Sequence, residues 1–321
     1  CVEAPDGWCL VDADLETAEV LGLAYIAGDD EMINVCRSPD ENFVGVNTDL
    51  ADTYGVPWLR FKGINAARLE HIPADKIDCI QLGDDNNYIR PLRDMHWEMA
   101  ETMHGKTRED LDADVDRLAG KIGMFSIPYG ASAKLLERTI EGITGQKPDD
   151  GIGESLIKAY ETKFPVAAAF LKQQEHKVED PGYYRSISGR VRHFHMHGLG
   201  TKGLTEYARK SLLAPLTREA RNYPMQEIVA ATMARAVNSL VQEFLVRGMK
   251  ARPMILLHDA LTVLCPMSER WAVKDLLGDC MSKNTYWDVN GKRLSFAIDV
   301  DFSYRWGMKP SDEEKEVLEM K

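Results

Sequence analysis

Residues 254–257 (Met-Ile-Leu-Leu) and 261–265 (Leu-Thr-Val-Leu-Cys) are two apolar runs of strand length, separated by His258, Asp259 and Ala260. The period and the short break read as the two arms of a hairpin. Burying an unpaired charge is costly, so Asp259 belongs at the hairpin tip, as a plain turn residue or as a metal ligand. A third apolar run, 8–13, closes in the same way, with Asp12 and Asp14 at its end. Taken alone, either acid there reads as a turn or helix-cap residue, and the two compete because they share one strand face. Mg²⁺ favours one or two carboxylates completed by substrate oxygens. Strand-end acids therefore suit a two-metal site.

Between these runs lies Arg117-x3-Lys121-x3-Phe125-x3-Tyr129-Gly130. At about 100° per residue, steps of four drift only about 40°, so the four side chains line one side of a helix. Arg117 and Lys121 suit phosphates, and Phe125 and Tyr129 suit a sugar or base. A solvated basic edge is the bland alternative. Pro128 should end the helix just before Tyr129. Strand-end acids and a cationic helix are together the minimum equipment for nucleotidyl transfer.

The rest of the chain divides by period and punctuation. A helix is expected over 15–26, ending near Gly28. Residues 37–93, rich in Asp, Asn and Pro, read as an insertion with a surface loop at 83–87. Helices follow at 94–104, 108–125, 133–144 and 152–176. Residues 183–197 alternate as a hairpin around Ser188-Gly189, and Pro224 opens a long helix running to about 247. A helix at 268–282 and a strand at 293–302 close the chain. His193, His195 and His197 alternate, but no nearby Cys or Glu completes a metal site. Arg190 lies in a basic turn suited to backbone phosphates, with an ordinary hairpin as the equal alternative. Arg218-x3-Asn222-x3-Gln226 is a polar row suited to a minor groove, or to helix capping.

Composition sets outer limits. The 321 residues, 44% hydrophobic and 28% charged, support one large domain or two ordinary ones. A net charge of −12 argues against a protein that coats nucleic acid generally. It leaves room for a basic cleft beneath an acidic exterior. No apolar stretch has bilayer length, and no charged-then-apolar leader opens the chain. Six scattered cysteines fit reduced thiols in a cytoplasmic setting.

The ordered set of motifs resembles family A DNA polymerases, the bacterial polymerase I-like enzymes and their phage relatives. Ala4-Pro5-Asp6-Gly7-Trp8 through Asp14-Leu15-Glu16-Thr17-Ala18-Glu19 resembles motif A. Asp94-Met95-His96 resembles the start of the fingers, Arg117 through Gly130 motif B, and His258-Asp259 motif C. Ser188-Gly189-Arg190 and Arg218, Asn222, Pro224, Met225, Gln226 are similar to later DNA-contacting segments.

The resemblance implies an α+β fold: a palm of antiparallel sheet with helices, and mostly helical fingers. It divides the chain into 1–36 (palm, first part), 37–93 (insertion), 94–215 (fingers) and 216–321 (palm, second part). Asp14, preferred over Asp12 because Glu19 stands five residues on, would bind two Mg²⁺ ions with Asp259; Mn²⁺ is an alternative ion. Arg117, Lys121 and His96 would hold the triphosphate, Lys121 also acting in catalysis. Phe125 and Tyr129 would line the nucleotide pocket, and Glu19 would exclude a ribose 2′-OH. Arg190, Arg218, Asn222, Gln226 and His258 would contact primer and template. The partners implied are primer–template DNA and dNTPs, with no membrane.

The chain departs from the family pattern in several places. Ala260 stands where motif C usually has Glu, Thr17 replaces a polar amide, and 37–93 lengthens the connection to the fingers. The family places exonuclease, thumb and first palm segments before motif A, and these are expected to lie outside this chain. With Cys1 at the front in place of Met, the chain reads as the C-terminal part of a split or processed polymerase that needs an N-terminal partner fragment. Two other functions compete. One is a single-subunit RNA polymerase, which shares the acids and the Lys…Tyr-Gly helix. The other is a catalytically weak DNA-binding replication module, which Ala260 favours.

Overall fold

The computed structural model describes residues 2–37, 81–82, 89–90, 94–112, 114–194 and 203–320. Nearly all of the segment read as an insertion, and His195 and His197, lie outside these. The chain forms two compact units, Cys1–Gly28 with Leu171–Lys321, and Asp29–Phe170.

The first unit is built on strand β1 (Trp8–Leu15), which continues through Asp14 where the apolar run suggested a stop at 13. The reason is pairing on both sides. β1 lies between β7 (Ala260–Pro266) and β10 (Ile298–Ser303), and β6 (Arg252–Leu257) completes an antiparallel sheet of order β10-β1-β7-β6. Cys9, Leu10, Val11, Ala13 and Leu15 are all buried. At about 1.5–3 kcal/mol for each large apolar side chain buried, this strand anchors the unit. Helix α1 (Ala18–Ala27) follows; it is apolar all round, as a core helix should be. Its Gly22 lets it sit against the long helix α8 (Glu206–Arg247), since an added Cβ would meet Ile228 Cγ2 at 2.9 Å.

Helix α8 corrects the expected start at Pro224. It begins at Glu206, where the Thr205 hydroxyl accepts from the Ala208 N–H (3.2 Å), and it carries Pro215 and Pro224 inside. Each proline removes one helical hydrogen bond. Burial of Ala220, Pro224, Met225, Ile228 and Val229 on both sides of the second outweighs that loss. Hairpin β4–β5 (Tyr183–Arg185, Val191–His193) packs on the first half of α8 through Val178, Tyr184, Phe194 and Ala220. The helix expected at 268–282 is α9 (Arg270–Gly278), which widens into a π turn over Asp279–Lys283. The strand expected at 293–302 divides. Asn290 (φ 50°) and Gly291 (φ 75°) make a tight turn that pairs β8 (Trp287–Val289) with β9 (Lys292–Leu294), and only β10 joins β1. Helix α10 (Asp312–Glu319) ends the unit with a Ser311/Glu314 capping box.

The second unit is helical: α2 (Asp30–Arg37), α3 (Met95–His104), α4 (Asp116–Ser126), α5 (Ala133–Thr144), α6 (Ile152–Lys163) and the start of α7 (Pro165–His176). The two-residue strands β2 (Gln81–Leu82) and β3 (Ile89–Arg90) pair with each other. Two expected helices are broken. The first, 108–125, becomes a 3-10 turn (Arg108–Asp110) and then α4, because the Asp112 carboxylate accepts from the N–H groups of Asp114 (2.8 Å) and Val115 (3.0 Å). The second, 152–176, breaks at Phe164 because Pro165 excludes the helical conformation from the residue before it. The buried Asp29 carboxylate then caps two helix starts, accepting from Met32 N–H (3.0 Å) and Ala167 N–H (2.9 Å).

Candidate active site

The sheet's register places the acids of the first unit. Asp14 faces Ala260 on β7 and Asp299 on β10. The Leu15 N–H donates to the Asp259 carbonyl (3.1 Å), so the tip of the β6–β7 hairpin is tied to the end of β1 and brings Asp259 beside Asp14. Asp14 opens to solvent, yet its carboxyl is raised above its ordinary value. Partial desolvation is the largest cause; the negative charges of Asp259 and then Asp299 add to it. Asp12, on the same face, is differently placed. Its two carboxylate oxygens accept from Thr262 Oγ1 (2.6 Å) and Ser303 Oγ (2.9 Å). A cavity of about 360 Å³ opens beside these residues, with Asp301, Trp306 and Lys309 also on its wall.

The donor set fits a divalent cation. Two carboxylates at adjoining strand ends offer hard oxygen ligands, and their mutual repulsion is what a bound cation relieves. Among the described residues no cluster of three or more His, Cys, Asp or Glu ligands forms, so substrate oxygens and water would complete the coordination.

Glu19 sits in the first turn of α1, after Thr17 in the left-handed region (φ 47°). His258 at the hairpin tip is also left-handed (φ 53°) and exposed. On α8, Arg218 and Gln226 are exposed, while Asn222 keeps its side-chain oxygen buried without a hydrogen-bond partner among the described residues. Arg190 projects from the β4–β5 turn, 3.6 Å from Glu227.

In the second unit Asp94 organises the cationic helix. Its Oδ1 caps α3, accepting from His96 N–H (2.9 Å) and Trp97 N–H (3.4 Å). Its Oδ2 takes both Nε (2.9 Å) and Nη2 (2.7 Å) of Arg117 on α4. Asp94 remains below the ordinary carboxylate range: burial pushes it up, and Arg117, His96 and the hydrogen bonds outweigh burial. Helices α3 and α4 touch at Gly120, where an added Cβ would lie 2.2 Å from the His96 carbonyl oxygen. That contact sets the His96 ring 5.7 Å from Phe125. Burial, with the positive charges of Arg117 and Lys121, brings His96 down to about 4 against the pull of Asp94, so the ring is neutral at pH 7. Its Nδ1 is buried and has no partner among the described residues. Lys121 is exposed on α4, and Tyr129 follows the end of that helix, half-buried, with Gly130 at φ 79°.

Sequence reasoning did not reach Asp299, whose only signal was its alternation with Asp301 in an otherwise apolar strand, or Glu227, which follows Gln226 on α8. Asp94 stands in a sequence motif, but its hold on Arg117 depends on how α3 packs on α4.

An antiparallel sheet carrying strand-end acids, with a helical unit carrying a cationic helix, defines a palm-and-fingers protein. The sequence profile of DNA polymerase family A matches residues 84–308, and the chain belongs to that family. It is 26% identical to the thermostable DNA polymerase I of Thermus aquaticus over 246 residues, 76% of this chain and 28% of that protein. It is 27% identical to DNA polymerase I of Treponema pallidum over 199 residues, 61% of this chain and 18% of the relative. The chain thus spans less than a third of the length of these curated relatives. Its fold is similar to part of the polymerase domain of Pol1 from M. smegmatis, solved in complex with DNA primer-template and dNTP, with a TM-score of 0.62 at 16% identity over 95% of this chain and 41% of that one.

Proposed function

We propose that this chain carries out template-directed DNA synthesis, moving dNMP from a dNTP to a primer 3′-hydroxyl. The observation that carries this reading is the Asp14–Asp259 pair, tied at adjoining strand ends, with the Asp14 carboxyl raised by partial desolvation and then by the charge of its neighbour. Asp14 and Asp259 would hold two Mg²⁺ ions, or Mn²⁺, which when bound supply positive charge to activate the 3′-hydroxyl and to neutralise pyrophosphate.

The remaining work falls to side chains of this chain. Lys121 and Arg117 hold the triphosphate, and Lys121 balances charge on the transferring phosphate. Neutral His96 donates one N–H to a phosphate oxygen. Phe125 and Tyr129 stack on the sugar and base. Glu19 stands against a ribose 2′-oxygen. Arg218, Asn222 and Gln226 follow the minor groove, with Arg190 and His258 on the backbone. Primer–template DNA and dNTPs are the partners, in a cytoplasmic compartment.

The test is primer extension with dNTPs and rNTPs in parallel. Extension with dNTPs that Asp259→Asn abolishes supports the reading. A preference for rNTPs would transfer it to an RNA polymerase, and DNA binding without extension would reduce it to a binding module.

A further inference from the structure

A second concavity, of about 260 Å³, lies between the β4–β5 turn and helix α8, with Ser188, Arg190, Arg235, Asn238 and Trp287 on its walls. Its floor is rigid. Trp287 is buried, and its Nε1–H donates to the buried Thr232 hydroxyl (2.9 Å). The Arg235 guanidinium lies over the Trp287 ring, 3.5 Å from its centroid, a cation–π contact that holds the long side chain in place. Beyond a 3.5 Å approach of Nη1 to the Tyr286 carbonyl, the Arg235 donors have no hydrogen-bond partner among the described residues.

The opposite wall is held by a buried carboxylate. Glu227 is 5% exposed and accepts a hydrogen bond from the Ser188 hydroxyl. Arg190 stands 3.6 Å from the same oxygen, too far for a hydrogen bond, and the other oxygen of Glu227 has no partner among the described residues. A buried, incompletely paired carboxylate is expensive. Here it seats the turn and keeps the Arg190 charge at the rim. Arg190 itself is half exposed, so its donors remain available.

We infer that this concavity binds a phosphodiester of the DNA backbone, with Arg190 and Arg235 on its two sides and the Asn238 amide as a neutral donor. This inference rests on the reading of the chain as a DNA polymerase. Two guanidinium groups flanking one small concavity suit an anion with several acceptor oxygens. Position also favours DNA. Asn238 is twelve residues beyond Gln226 on one continuous helix, about 18 Å along the axis and about 120° around it. A strand leaving the Arg218–Asn222–Gln226 row can therefore be met again farther along α8.

Fluorescence anisotropy of labelled primer–template DNA against the 321-residue chain, over about 50 to 200 mM salt, tests the site. Arg235→Gln is expected to weaken binding about three- to tenfold and to lower the slope of log affinity on log salt by about one. Arg235→Lys should keep the slope, and Asn238→Ala should weaken binding without changing it. Thermal melting of each variant separates lost folding from lost contact, and the Asn238→Ala and Arg235→Lys results stand if Arg235→Gln does not fold. Unchanged affinity and slope in Arg235→Gln would overturn the inference and leave the polymerase reading intact. Loss of affinity there, in a chain that binds DNA but extends no primer, would uphold the site and sink the polymerase reading. Failure of the unaltered chain to bind DNA would overturn both.

Discussion

Asp14 lies directly opposite Asp299 in the pairing of β1 with β10. Like charges facing each other across an antiparallel pair are destabilising by a few tenths to about 1 kcal/mol. Here that repulsion adds to desolvation and to the charge of Asp259 in raising the Asp14 carboxyl. For an acid raised on folding, the stabilising contribution is complete below its unfolded value of 3.8 and is lost as pH rises through the folded value. At pH 7 the metal-free chain therefore carries the full repulsion. Asp299→Asn should stabilise it at pH 7 by about 0.5–1 kcal/mol, with the difference shrinking toward pH 4. Urea denaturation at the two pH values measures this. Equal stabilisation at both would contradict the charge argument.

His96 carries the opposite pH dependence. Its pKa falls from 6.5 to about 4 on folding, chiefly through burial. The fold therefore binds fewer protons than the unfolded chain between those values. Stability is full above pH 6.5 and is lost as pH falls toward 4. His96→Phe should flatten that part of the curve, and stability profiles from pH 7 to pH 4.5 compare the two proteins. An equally steep loss in the variant would place the acid sensitivity elsewhere.

Gly120 is where two helices meet too closely for any side chain. A methyl group there would lie 2.2 Å from the His96 carbonyl oxygen, so Gly120→Ala must part α3 from α4. The expected cost is about 1–3 kcal/mol, against a gain in helix propensity of about 1 kcal/mol. Because the same contact sets His96 beside Phe125, nucleotide KM should rise more than the loss of stability explains. Melting and steady-state kinetics on one preparation separate the two effects.

Much of this fold is legible in the sequence. The apolar runs around His258-Asp259 and before Asp14 became neighbouring strands, and the residues of the 117–129 row up to Phe125 lie on or beside α4, because hydrophobic period survives folding. Pro128 falls just past the helix end at Ser126, as its chemistry requires. What failed was punctuation. Pro224 looked like a helix start, since local rules do not register how many buried neighbours can carry a proline inside a helix. Asp112 and Pro165 broke helices that the apolar pattern ran straight through. Pairing partners were the least legible. Asp299 and Ala260 flank Asp14 only because of sheet order, and Asp29 caps a helix 138 positions away. Such contacts leave no periodic trace.

The most direct test of the central claim is single-turnover incorporation of one dNTP on a primer–template, comparing the unaltered chain with Asp259→Asn, with DNA affinity measured alongside. If Asp14 and Asp259 carry nucleotidyl transfer, the rate falls by about a hundred- to a thousandfold, of the order seen when one catalytic electrostatic contact is removed, while DNA affinity stays within about twofold. An unchanged rate in Asp259→Asn would contradict the account.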